Sequence, residues 1–210
     1  MARGLGRVAL AAVLEFLSAA SPDTDAVGQK ILDAAGAEFQ EYGFKRTSLD
    51  AIAKRAGLSR ATVYRRFENK DVLIQTVMLR QSQEFFRSVA LAVHRLPTPQ
   101  ERLVEGFVTG YGIARVDPLW TRLLSSEPET VLPYATIGSS PLVQAAAAVL
   151  VLQEGDNIGE LSDGRTTQGI SEVFIRLAVS YLLCPQGAIP FGTEDEVRAF
   201  ARSYLAPLMR

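Results

Sequence analysis

Apolar residues recur at every third or fourth position along most of this chain, and strict apolar-polar alternation is almost absent. That period puts side chains on one face of a helix, so an all-α fold is expected. No Asn-Gly or Asp-Gly hairpin joins alternating runs, and Val and Ile fall mostly in helical spacing. A first helix is expected from an Asp23 or Thr24 cap through about Tyr42. Its inner stripe would be Val27, Ile31, Ala35 and Phe39, with Gly43 as the stop. Further helices are expected over 48–56, 60–67, 70–93, 100–115, 118–125, 142–154, 166–183 and 193–209. Pro185, Gly187, Pro190 and Gly192 make the last connection irregular.

The stretch from Thr47 to Phe67 reads as helix, tight turn, helix. Thr47 can cap the first of these helices, with Asp50 three residues on as a weaker stand-in for a capping-box Glu. Leu49, Ile52, Ala53 and Ala56 form its inner side. Gly57 supplies a positive φ without a steric penalty. Ser59 then caps the second helix with Thr62 at N3, while Leu58 and Val63 fit a hydrophobic staple. Val63 and Phe67 point inward, so Arg60, Ala61, Tyr64 and Arg65 point outward together.

The charge of the chain sharpens this reading. Residues 45–70 hold eight basic groups and two acids, a balance of +6, whereas the other 184 residues hold 14 basic and 21 acidic groups, a balance of −7. A basic island in an acidic body points to a polyanion partner for one part of the protein. The outward face suits a DNA major groove. Arginine can address guanine O6 and N7, small methyls can meet thymine, and a tyrosine hydroxyl can bond phosphate. Thr47 and Ser48 bring hydroxyls and backbone N–H groups to a helix N-terminus, a natural phosphate contact, and Lys70 can reach the same strand. Arg60 and Arg65 can equally serve as phosphate clamps. A solvated basic face on a small bundle is the plainer alternative. Charge, turn glycine, double capping and staple instead agree on one DNA-reading geometry.

The pattern of Ala34-Ala35, Phe39, Gly43, Thr47-Ser48, Ile52-Ala53, Ala56-Gly57-Leu58-Ser59, Thr62-Val63-Tyr64, Phe67, Lys70 and Leu73 resembles the N-terminal domain of the TetR family of transcriptional regulators. It covers about a fifth of the chain. The resemblance implies a three-helix DNA-binding domain followed by a larger helical domain that binds a small ligand. It also implies a homodimer joined through the last two helices, which would present two recognition helices to a pseudo-palindromic double-stranded DNA operator. It assigns residues 60–65 to the recognition helix and Thr47, Tyr64 and Lys70 to phosphate contacts. Arg66 stands where the family often has histidine or tyrosine. The expected DNA surface is thus Thr47, Ser48, Ser59, Arg60, Ala61, Thr62, Tyr64, Arg65 and Lys70. The expected domains are 23–70 for DNA and 71–210 for ligand and dimer, behind an extension of residues 1–22.

That extension imitates a secretory signal, with Arg3 and Arg7 before an apolar run, but Glu15 breaks the imitation. Leu10, Val13, Leu14 and Leu17 share one helical face. A short amphipathic helix on the body or a partner and an extension without a role both fit. Residues 130–153 carry no charge, yet Pro133, Gly138 and Pro141 interrupt them, and the run 145–152 is far below the roughly 20 residues a bilayer needs. No membrane span is expected.

In the larger domain, Phe107 and Tyr111 are four residues apart, as are Ile170 and Phe174, so each pair lines one helix face. Such stripes form cores more often than ligand cages. Phe107, Tyr111, Trp120, Tyr134 and Phe174 are the expected ligand residues, with Tyr111 and Trp120 preferred because their polar tips need a partner when buried. Sparse charge predicts a small apolar effector. Some of the apolar surface formed by the faces Ile170, Phe174, Leu177, Tyr181 and Val197, Phe200, Ala201, Tyr204, Leu208 is expected to meet a second subunit. The single histidine, His94, and single cysteine, Cys184, fit neither a zinc site nor a nucleophile with its base, so no metal, cofactor or enzyme activity is expected. One cysteine also suits a cytoplasmic location. The expected function is a ligand-released repressor. The alternatives are a constitutive DNA-binding regulator without a ligand, and an activator.

Overall fold

The first helix begins where a side chain, rather than the backbone, satisfies its leading N–H groups. Asp25 has extended backbone (φ −75°, ψ 164°) and its carboxylate accepts from Gly28 N at 2.7 Å. Asp25 is thus the cap, one or two residues later than the sequence pattern suggested. The computed structural model describes residues 25–129 and 164–209, and eight α-helices and no strand occur among them. These are α1 (Ala26–Arg46), α2 (Leu49–Ala56), α3 (Arg60–Arg66), α4 (Lys70–Val93), α5 (Pro99–Val116), α6 (Pro118–Ser126), α7 (Thr167–Leu183) and α8 (Glu194–Phe200). No helix among the described residues is long and apolar enough to cross a membrane. The extension 1–22, the expected helix 142–154 and Tyr134 lie outside the described residues.

The described chain divides into two compact units. One takes residues 25–84 and 116–129, the other 85–115 and 164–209, so the division falls inside α4.

In the first unit Ile31, Leu32, Ala35 and Phe39 of α1 are wholly buried, together with Ile52 of α2, Val63 of α3, Leu73 of α4 and Leu123 of α6. The packing unit around the helix-turn-helix therefore runs past residue 70 and recruits α6. Asp117 caps α6 by accepting from Leu119 N and Trp120 N, and Gln81 of α4 donates to its other oxygen at 2.8 Å. Gly43 breaks α1 as expected of a stop, with φ 79° and ψ 175°, but one more turn, through Arg46, follows it. Glu127 at the end of α6 holds that turn by accepting from Lys45 N at 3.0 Å.

The second unit is built on rings. Phe107 of α5 meets Phe174 of α7 edge-on at 6.3 Å and Phe191 at 6.1 Å, while Tyr181 stacks on Phe191 at 3.8 Å. Phe191 belongs to the irregular connection before α8, yet it is buried. Arg198 of α8 reaches both carboxylate oxygens of Glu105 on α5 and also bonds Glu194. Thr193 and Glu196 form a reciprocal capping box at the start of α8. The last helix is not α-helical throughout. From Ala201 to Leu205 the turn widens, with Ala206 N donating to Ala201 O, and a 3₁₀ turn Ala206–Met209 follows. Ala201 and Leu205, four apart across this turn, are both buried.

Candidate nucleic-acid interface

Local chemistry sets the two short helices. Ser48, not Thr47, caps α2, its hydroxyl accepting from Ala51 N at 3.2 Å. Thr47 is buried and its hydroxyl donates back to Gly43 O at 2.8 Å, closing the broken end of α1. At the far end of α2, Gly57 adopts φ 62° and ψ 38°. Leu58 N reaches Ala53 O and Gly57 N reaches Lys54 O, a Schellman closure. Ser59 then caps α3 by accepting from Thr62 N at 3.1 Å, and the Ser59 and Thr62 hydroxyls lie 2.8 Å apart. Val63 and Phe67 are buried, which leaves Arg60, Ala61, Tyr64 and Arg65 exposed on the opposite face.

The structure sorts the eight basic residues of the island into two groups. Arg55 bonds Glu38 at 2.6 Å and also Glu41, tying α2 to α1. The Glu41 contact, with Glu38 beside it, raises the already high Arg55 value. Lys45 pairs with Glu129, which raises the lysine and lowers the glutamate. Arg66 pairs with Asp25. The Gly28 N–H first, and then this guanidinium, hold the Asp25 carboxyl below its usual range. Lys70 sends its ammonium inward to Phe44 O at 3.1 Å and Thr47 O at 3.2 Å. Arg60 pairs with Asp50 across the turn. Arg46, Lys54 and Arg65 are exposed and form no ion pair among the described residues.

Of the residues expected at DNA, the structure therefore gathers Ser48, Ser59, Arg60, Ala61, Tyr64 and Arg65 on the exposed side of α2 and α3, with Thr62 half-buried beside them. Thr47 and Lys70 are engaged with backbone carbonyls in or just beyond the last turn of α1, where no helical N–H follows to bond them. Arg66, whose role the sequence left open, ties α3 to the start of α1. Arg46 and Lys54 join the open surface although the sequence pattern did not single them out. Their only signal was membership of the basic run.

The expected ligand residues fare differently. Phe107, Tyr111 and Phe174 come together in one aromatic core, where burial pushes the Tyr111 phenol above its usual value. Trp120 is half-buried against the core of the other unit. A separate cavity of about 280 Å³ opens among Leu96, Val104, Glu105, Arg198, Arg202 and Ala206, none of them predicted. Phe191 and Phe200 complete the aromatic core; neither is among the expected ligand residues, and Phe200, expected on an apolar face for a second subunit, is buried.

Residues 31–77 match the family described as bacterial regulatory proteins, tetR family. The chain is 30% identical over 171 residues to an uncharacterized HTH-type transcriptional regulator of Mycobacterium tuberculosis, a match covering 80% of this chain and 83% of that one. It is 26% identical over 161 residues to the HTH-type transcriptional regulator AlkX of the same organism, covering 75% of each. Among solved structures it is similar to the TetR family repressor AlkX of a Dietzia strain, with a TM-score of 0.61 at 22% identity over 88% of this chain and 95% of that chain.

Proposed function

Because this chain belongs to the TetR family of bacterial transcriptional regulators, we propose that it represses transcription by binding a pseudo-palindromic operator as a homodimer and is released by a small apolar effector. The observation that carries the DNA half of this reading is the division of labour on α3. Val63 and, at its end, Phe67 are buried in the core, and Arg60, Tyr64 and Arg65 are exposed. A helix kept only for packing has no need of two guanidiniums and a phenol on one face. Arg46, Lys54 and Ser48 extend that face toward the phosphate backbone. The work of such a regulator is done where the chromosome is, in the cytoplasm.

Dimerisation is supported by the apolar side chains that the last helical segments leave outside. Val173 and Leu183 of α7 and Tyr204 beyond α8 are 46%, 41% and 57% exposed. A homodimer carries two copies of α3, as a two-fold-symmetric operator requires. An apolar effector is supported by the aromatic character of the second unit. The Dietzia relative is described as implicated in biodegradation of n-alkanes, and a hydrocarbon chain is the effector class proposed here. The ring-to-ring packing of Phe107, Tyr111 and Phe174 also favours the second reading, a constitutive regulator without a ligand.

Arg65→Ala and Tyr64→Ala should each weaken operator binding about tenfold with helix content unchanged, as read by fluorescence anisotropy and circular dichroism. Unchanged affinity in both would remove α3 from the interface. Affinity of the parent chain should fall steeply between about 50 and 200 mM salt, because phosphate neutralisation releases counterions. A medium-chain n-alkane at saturation should release the operator; full retention would leave the constitutive reading standing.

A further inference from the structure

Asp50 is the sole acid between Lys45 and Phe67, and it sits on the surface that the proposed function turns toward DNA. A carboxylate in the first turn of α2 is favoured by the helix end, but the cap itself is already supplied by Ser48. The geometry of Asp50 also carries a cost. Its Oδ1 is buried with no hydrogen-bond partner, while Oδ2 is held by Arg60. Arg60 is the first residue of α3, where the helix end disfavours a cation. Its side chain is 69% exposed and would otherwise be free to meet any phosphate.

We infer that Asp50 is a positioning residue that commits Arg60 to reading a guanine base rather than clamping a phosphate. The inference rests on the proposed DNA binding and adds which arginine reads sequence. Nη2 of the guanidinium is paired with Asp50 Oδ2, and its other N–H, with a neighbouring nitrogen, can still supply the parallel pair that matches guanine O6 and N7. Pairing one nitrogen with Asp50 narrows the positions the group samples before DNA arrives. The same carboxylate repels a phosphate brought up to Arg60, so the pair works against indiscriminate backbone contact. Arg65, Arg46 and Lys54, which form no ion pair among the described residues, have no such restriction and suit the phosphates.

The test takes the full-length chain and its D50N, D50A and R60A variants through selection on a pool of randomised DNA duplexes. Each is then measured against its selected duplex and an unrelated duplex of equal length. The parent should enrich a guanine at one position of each half-site, and R60A should lose that preference. D50N and D50A should lose about tenfold of discrimination at that position alone, keep the rest of the motif, and bind the unrelated duplex more tightly. A role in folding alone would not move a single base preference. The inference is overturned if R60A loses the guanine while both Asp50 variants keep it, or if R60A retains the whole motif. It also falls if both Asp50 variants lose every position alike. A parent chain that enriches no motif overturns the proposed function itself, a result distinct from all of these.

Discussion

The two units of this chain are both helical and both bury phenylalanine, yet they are held together by different kinds of information. Around the helix-turn-helix, each element begins and ends on a residue a few positions away: Ser48 on Ala51, Gly57 on Lys54, Ser59 on Thr62. In the second unit the contacts that matter join distant residues, Phe107 with Phe174, Phe191 and Phe200. Charge follows the same division. The first unit ties down some of its cations and leaves Arg46, Lys54 and Arg65 open, whereas Arg198 in the second is held by two carboxylates. The surface proposed to meet DNA thus keeps three of its exposed cations out of ion pairs among the described residues.

The sharpest way to break this contrast is to remove a ring. Phe174 is 1% exposed, and Phe174→Ala should destabilise the chain by about 3–5 kcal/mol through lost burial and a residual cavity, measured by urea denaturation. A loss below about 1 kcal/mol would mean that the aromatic cluster is not what holds the second unit.

Next in size is Gly43→Ala. The positive-φ backbone there, with ψ 175°, costs an L residue about 1–3 kcal/mol, and an added Cβ would lie 2.3 Å from Glu127 Oε1. That oxygen cannot simply swing away, because Glu127 is buried and bonded to Lys45 N. The total loss should reach about 2–3 kcal/mol. Adding Glu127→Ala should then cost less than it does in the parent chain, because removing the carboxylate relieves the close contact with the new Cβ. Strict additivity in that double-mutant cycle would show that the carboxylate and the glycine do not interact.

The smallest effect is electrostatic. The Arg198 guanidinium holds the Glu105 carboxyl below its usual range, against the opposing pull of burial. A carboxylate depressed in the folded state stabilises above its unfolded value, ordinarily 4.5, and that contribution is lost as pH falls through the folded value. Glu105→Gln should therefore flatten the acid limb of the stability curve and move the neutral midpoint less than Gly43→Ala does. An acid limb as steep as the parent's would assign the proton uptake to other groups.

These differences explain what could be read in advance. Gly57, Ser59, Leu58 and Val63 announced the turn because each acts within a few residues, and the structure places them as the pattern requires. Thr47 was mistaken for a cap because its neighbour Ser48 has the same chemistry one position on. The choice between them depends on the break at Gly43, which draws the Thr47 hydroxyl inward. Phe191 escaped notice because it stands alone between Pro190 and Gly192, where no helical period marks it as core.

By itself the sequence determined the helix-turn-helix, its exposed face and the concentration of positive charge there, since capping, turn conformation and periodicity are local properties of the chain. Only the tertiary structure decided which of those charges remain available. Arg55 finds Glu38 across 17 positions, Arg66 finds Asp25 across 41, and Lys45 finds Glu129 across 84. The partner of a long charged side chain is set by which helices the packed core brings side by side, and no spacing within a single helix encodes that.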